Sequence, residues 1–236
     1  MSILSELKSH SSSEKSNNLA RFFKTGKGDY GEGDVFLGVN VPESRVIAKK
    51  YSYLTLEEIE KHLESKFHEE RLVALLILVH KYEKEPSLRK KIFDFYLTHT
   101  KNINNWDLVD LSAHKIVGRF LFDFGEVWPV YRMLLRKLAE SSNLWERRIS
   151  IVSTFYFIKE RNIDWSIKIA KILMNDKHDL IHKACGWMLR ELGKKDKMSL
   201  DKFLIENYKK MPRTMLRYAI EKHSEEEREK YLEGKF

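Results

Sequence analysis

Trp106, Asp107 and Asp110 fall within five residues of one another in the stretch NINNWDLVDLS. Trp106 and Asp110 are spaced i and i+4, so on a helix they share one face, a turn apart. A carboxylate on that face is either buried at a cost or presented to a groove as a site. Asp107 sits where a negative charge favours a helix start and reads as an N-terminal residue of that helix. Aligning the charged residue that precedes each later apolar run gives Arg71, Asp110, Arg148, Lys183 and Arg217, at intervals of 39, 38, 35 and 34 residues. Four cations then flank a single carboxylate. Arg and Lys near helix N-termini oppose the macrodipole, which calls for an anionic ligand to compensate them. Trp106 lies one turn before Asp110 and Trp187 one turn after Lys183, so both share the face of the charged row. An aromatic wall beside a carboxylate and flanking cations suits a sugar–phosphate backbone or a base.

The elements that must position these residues are helices. Long Leu/Ile/Lys/Glu-rich stretches, four prolines and no alternating Val/Thr/Ile runs define an all-α chain. A period of 34–39 residues is that of paired-helix repeats, and the expected architecture is a right-handed α-solenoid of HEAT-like helix pairs. The first helices read in EEIEKHLE, LRKKIFDFYLTH, VWPVYRMLLRKLAE and WSIKIAKILMN, with Pro129 near one helix start and Trp128 and Trp165 in the core. Residues 1–18 form an N-terminal helix and a polar joint, SHSSSEKSNN, and residues 19–236 a single domain.

Forty-three Lys+Arg against 35 Asp+Glu give a net charge of +8, spread through the helices as a basic face requires, and point to a polyanionic partner. The lone Cys185 excludes a disulfide framework and reads as core packing. No apolar run reaches the ~18 residues needed to cross a membrane. The first residues, MSILSELKSH, lack the basic start and apolar core of a signal peptide, so a cytoplasmic location is expected.

Gly26, Gly28 and Gly31 spell G-x-G-x-x-G. No apolar strand precedes them, and Asp29, Glu32 and Asp34 would repel a phosphate, so the stretch reads as a glycine-rich loop or short hairpin leading into VFLGV. His178 and His182, four apart, have no matching third ligand and read as a solvated helix start, and no metal is expected. His114, one turn past Asp110, is placed either to pair with it or to pack as a plain histidine.

WDLVD (Trp106 to Asp110), WERR (Trp145 to Arg148) and KACGWMLRE (Lys183 to Glu191) resemble the signatures of AlkD-type DNA alkylation repair glycosylases. FLGVNVPE (Phe36 to Glu43) resembles their N-terminal FLG-x-x-x-P-E element, and the likeness extends over roughly residues 20–220. The resemblance implies HEAT-like repeats around a basic concave groove and removal of N3- and N7-alkylated purines from duplex DNA without flipping the base into a pocket. It makes Asp110 the catalytic carboxylate, packs Trp106 and Trp187 against the lesion's deoxyribose, and puts Arg148 on a backbone phosphate. Arg71, Lys183 and Arg217 would add further phosphate contacts. The glycine-rich KTGKGDYGEGD stretch is longer than in the best-understood members, and some relatives with an insertion there bind branched DNA without excision. Where those members carry an aromatic residue and a lysine, this chain offers Phe22 or Phe23 and Tyr156.

The chemistry follows from the lesion. An N3- or N7-alkylated purine is cationic and leaves neutral without a proton, so charge develops on the sugar. A carboxylate beside the anomeric carbon stabilises that oxocarbenium ion and orients the attacking water; no general acid and no cofactor are required. The expected protein is a monomeric, metal-independent DNA-alkylpurine N-glycosylase acting on double-stranded DNA. The alternatives are a non-catalytic HEAT-like binder of branched or damaged DNA and a protein–protein scaffold, the last leaving Asp110 within a basic row unexplained.

Overall fold

Helix starts in this chain are written into short capping signals. Asn40, Thr55 and Ser224 each accept a backbone N–H three residues on, and Glu43, Glu58 and Glu227 reach back to the cap's own N–H. The computed structural model describes residues 2–125 and 131–235; Trp128 and Pro129 lie outside them. All regular elements among the described residues are helical, with one isolated parallel bridge between Val35 and Phe67. The chain divides into two compact units, residues 1–112 and 113–236.

The first unit contains α1 (Ile3–Ser9), α2 (Ser13–Phe22), α3 (Val41–Lys50), α4 (Leu56–Leu63), α5 (His68–Lys84), α6 (Arg89–Thr98) and most of α7 (Trp106–Ala113). Its centre is α5, whose Leu72, Val73, Ala74, Leu75, Ile77 and Leu78 are all buried, because α1, α3, α4 and α6 pack around it. A helix apolar on every side belongs in such a place. Ile3 and Leu7 of α1 are also buried, and Glu6 bonds to Lys50 Nζ at 2.7 Å and to the Tyr51 hydroxyl at 3.0 Å, so the first helix is anchored. The polar stretch after it is not a joint throughout. Ser12 caps α2, with Glu14 in its first turn, so residues 13–22 are helical even though none is buried.

Between α2 and α3 the chain turns repeatedly without forming a hairpin. The Gly28 N–H donates to Glu32 Oε2 at 2.8 Å, so an amide that a phosphate would need is taken by the loop's own carboxylate. The Leu37, Gly38 and Val39 N–H groups converge on the Glu69 carboxylate of α5 at 2.8–3.3 Å. Three successive amides around one anion form a nest. Gly38 has φ +84°, and a Cβ there would run into the Ser12 carbonyl. FLGVNVPE is thus a structural element, a nest followed by the cap of α3.

The second unit opens with a π-helical turn (His114–Gly118). It continues through α8 (Arg119–Phe124), α9 (Arg132–Ala139), α10 (Leu144–Lys159), α11 (Asp164–Leu173), α12 (Asp179–Gly193), α13 (Lys197–Asn207), α14 (Arg213–Ala219) and α15 (Glu225–Glu233). Helices α9/α10 and α11/α12 are successive packed pairs, α13 packs on α12, and α10, α12 and α14 pack side by side. Gly186 permits the α12–α14 approach, since a Cβ there would meet the Met215 carbonyl at 2.5 Å. Cys185 is fully buried, and burial pushes its thiol well above the ordinary range, as befits a packing residue. Trp165, read as core, is only half-buried, with Lys168 Nζ 5.1 Å from its ring centroid.

Candidate nucleic-acid interface and catalytic helix

α7 brings Trp106 and Asp110 to its first and fifth positions, on one face, both half-buried. The helix start is set from outside. Asn105 is fully buried, and its Oδ1 accepts the Trp106 N–H at 2.8 Å while its Nδ2 donates to Asp34 Oδ2 at 2.9 Å. On the buried side of α7 the Ser112 hydroxyl donates to the Leu108 carbonyl at 2.6 Å, so the Tyr96 hydroxyl must be the donor to Ser112 at 2.9 Å. Burial, with the charge of Asp110 adding to it, raises the Tyr96 pKa, which keeps that donor protonated.

Asp107 does more than favour the helix dipole. Its Oδ2 accepts from His68 Nε2 at 2.8 Å, while its Oδ1 is buried without a hydrogen-bond partner. The other imidazole nitrogen, Nδ1, lies 3.1 Å from Asp34 Oδ2. Two carboxylates on two ring nitrogens require both nitrogens to be donors, which is the imidazolium. Burial alone would lower the His68 pKa, but the charges and hydrogen bonds of Asp107 and Asp34 outweigh it and raise the value to about 9. Burial acts upward on Asp34 as well, yet His68, Arg71 and Asn105 hold it below the usual carboxylate range.

Aromatic rings enclose this network. Phe36 stacks on His68 at 4.5 Å, and Phe23 contacts both His68 at 5.1 Å and, in a near-parallel stack, Trp106 at 5.0 Å. Phe22, 64% exposed, meets Trp106 edge-on at 5.9 Å. Both phenylalanines singled out in the sequence therefore reach Trp106, the first from the solvent side and the second from the core.

In the second unit Arg148, Lys183 and Arg217 each occupy the fifth position of α10, α12 and α14, so adjacent helices carry them in equivalent places. Arg148 is 5% exposed and donates to the Leu180 carbonyl at 2.6 Å. Lys183 Nζ pairs with Asp179 at 2.8 Å, and Arg217 is exposed. Trp187 is half-buried against Phe155 at 5.8 Å. Phe155 also meets His114 edge-on at 5.3 Å and carries Lys159 Nζ 4.8 Å from its ring. Tyr156 packs instead on Phe122 at 5.6 Å, so the aromatic neighbour of Trp187 is the preceding residue.

Arg71 does not belong to this row. It is the fourth residue of α5, 4% exposed, with Nη2 on Asp34 Oδ1 at 2.5 Å and Nη1 on the Ser65 carbonyl at 2.9 Å. Its true counterpart is Arg147, the fourth residue of α10, whose Nη1 donates to the Ser141 carbonyl at 3.0 Å and whose Nε meets Asp176 at 2.6 Å. The match extends to their neighbours: Ser65 and Ser141 each accept the N–H two residues on and donate to Glu70 and Glu146. His182, fourth in α12, closes the same loop on the Asp176 carbonyl at 2.5 Å. These are intramolecular clasps at helix starts, and they correct the expectation that an external anion must balance every cation of the aligned set. Arg71 and Lys183 are balanced by Asp34 and Asp179. His178 accepts the Leu180 N–H at 3.2 Å, and burial lowers its pKa. No group of three His, Cys, Asp or Glu placed to hold a metal occurs among the described residues.

A family model described as DNA alkylation repair enzyme matches residues 3–223. A solved structure described as a predicted DNA alkylation repair enzyme from Enterococcus faecalis shares the fold with a TM-score of 0.68 at 17% identity, covering 92% of this chain and 98% of that one. AlkD2 from Streptococcus mutans aligns with a TM-score of 0.55 at 18% identity, over 90% of this chain and 98% of its own. No curated protein sequence matches.

Proposed function

The chain belongs to the DNA alkylation repair enzyme family, and from that membership we propose that it is a DNA glycosylase hydrolysing the N-glycosidic bond of cationic N3- and N7-alkylated purines in duplex DNA. The observation that carries the reading is the pairing of Trp106 and Asp110 on one face of α7, both partly accessible, at a helix start held by buried polar contacts. Asp110 supplies negative charge beside the anomeric carbon as the base departs, and it orients the water that attacks from the vacated side. Trp106 and Trp187 offer faces to the deoxyribose. Arg148, steadied by the Leu180 carbonyl, brings a planar guanidinium fork suited to a phosphate. The protein acts as a cytoplasmic monomer. Among the described residues no helix is long and apolar enough to cross a membrane.

The glycine-rich segment bears on the alternative of a branched-DNA binder. Two of its three acids, Asp34 and Glu32, are engaged with Arg71, His68, Asn105 and the Gly28 amide. The segment thus supports the start of α7, and nothing in it favours the non-catalytic reading. Release of 7-methylguanine from methylated duplex DNA by the purified protein is the direct test. Tight binding of branched or intact DNA with no base release would overturn the glycosylase reading.

Lys183 and Arg217 are expected to contact phosphates. A Lys183→Gln/Arg217→Gln double variant should flatten the dependence of log affinity on log salt by about 0.9 for each phosphate no longer neutralised. An unchanged slope in a salt titration would remove both residues from the interface. Trp106→Ala and Trp187→Ala should each reduce excision while costing less than the ~3–5 kcal/mol typical of truncating a core aromatic. Chemical denaturation checks this, and a collapse of the unfolding midpoint would assign both rings to the core.

A further inference from the structure

The start of α7 is tied to residues far away in sequence by two routes that share one carboxylate. Asp34 accepts from Asn105, whose other end caps the Trp106 amide, and it contacts His68, which reaches on to Asp107. We propose that His68 is a positioning residue of the excision reaction, acting through Asp107 to fix the first turn of α7 and with it the placement of Trp106 and Asp110. This rests on the glycosylase reading for the reaction itself, but the link from His68 to α7 does not.

The arrangement has the properties that such a role needs. His68 is 2% exposed and packs against two mutually stacked rings, Phe36 at 4.5 Å and Phe23 at 5.1 Å, so it has little room to relax. The same Phe23 ring stacks on Trp106, giving His68 a second path to the candidate site. The Asp107 carboxylate gains its hydrogen bond from His68, with Oδ1 buried and unpartnered. Loss of that donor would leave a second negative charge within one turn of Asp110 and release the turn that both occupy. The charged groups facing the imidazole are Asp107, from α7, and Asp34, from the segment before α3, with Arg71 on the far side of Asp34. Its helix neighbours are otherwise engaged, Glu69 with the nest of amides and Glu70 with Ser65 and His62. Because the folded pKa is raised to about 9 from 6.5, the linkage is complete below pH 6.5 and is lost as pH rises through about 9.

The test uses the full chain in two arms. In the first, the Trp106 indole N–H resonance, assigned with Trp106→Phe, is followed from pH 6 to 10. It should titrate near pH 9 in the parent and stay flat in His68→Gln. In the second, single-turnover release of 7-methylguanine is measured for His68→Gln, Asp107→Asn and the double variant. Each single change should lower the rate at least tenfold with DNA affinity within threefold of the parent. The double variant should be no slower than the slower single, because both act through one bond. A parent whose rate falls above pH 9, beside a His68→Gln rate that does not, would support the same conclusion. Should His68→Gln fail to fold, the parent titration and Asp107→Asn carry the test. Parent-like rates in the folded variants, multiplicative losses in the double, or a Trp106 signal indifferent to pH would each overturn the proposal. A parent that releases no base while Trp106 still titrates would overturn the glycosylase reading and leave the His68 link standing.

Discussion

Asp110→Asn is expected to bind methylated duplex DNA as tightly as the parent and to release 7-methylguanine about 10²–10³ times more slowly. The amide has the shape of the carboxylate and can keep neutral hydrogen bonds, but it brings no negative charge to an oxocarbenium ion. Loss of one preorganised electrostatic group typically costs roughly 3–4 kcal/mol of transition-state stabilisation. Two features of α7 make the comparison clean. Asp110 is half-buried and not part of the core, so the substitution should be tolerated. The hydrogen bonds of the Tyr96–Ser112–Leu108 chain run among those three residues, and losing the Asp110 charge removes only one of the influences that keep Tyr96 protonated. The same mechanism dictates the substrate. With no proton to give, the enzyme should release cationic 7-methylguanine and 3-methyladenine and leave uracil and hypoxanthine in place. Single-lesion duplexes under single-turnover conditions measure both effects. Equal rates for cationic and neutral lesions, or an Asp110→Asn variant as fast as the parent, would end the proposal.

Glu69→Ala should be the most destabilising single change outside the apolar core, by about 3–5 kcal/mol, since it strands two buried amides and one part-buried amide, and an unsatisfied buried donor costs about 1–3 kcal/mol. The carboxylate holds the Leu37, Gly38 and Val39 N–H groups together, and the chain around them carries Phe36 and Asp34 to His68. Glu69→Gln retains one oxygen to accept but loses the charge, and should cost roughly 1–2 kcal/mol, in the range of a charge-assisted bond weakened to a neutral one. In urea titrations both variants should lower the midpoint at constant slope, in that order. A Glu69→Ala midpoint equal to the parent's would mean that water satisfies the nest.

Helix positions are legible in the chain and long-range side-chain bridges are not. The spacing of Trp106 and Asp110 puts them on one face by helical geometry alone, and the equivalent fifth positions of α10, α12 and α14 follow from the repeat period. Arg71 falls one position short of that row because an alignment on the nearest charge misses the helix start, which is the physical origin of each repeat. The fifth residue of α5 is the buried Leu72. A recurring S-x-x-x-x-E-R, at 65–71 and 141–147, is the signal that aligns Arg71 with Arg147. The Asp34–His68–Asp107 bridge joins residues 34 and 39 positions apart through irregular chain, and no periodicity records such a contact. Phe155 is hidden beside Tyr156 because two adjacent aromatics on a helix point about 100° apart, and only packing shows which one meets Trp187.

The clasps at Ser65–Arg71 and Ser141–Arg147 also bear on the order of events as the chain folds. Each closes within seven residues, so it costs little loop entropy and can form on the timescale of local loop closure, well before distant helices meet. A helix whose first turn is already bent back on its own connection arrives at its neighbours with its direction set. The search that remains is a docking of pre-aimed helices, a local-contact route of the kind that folds fast.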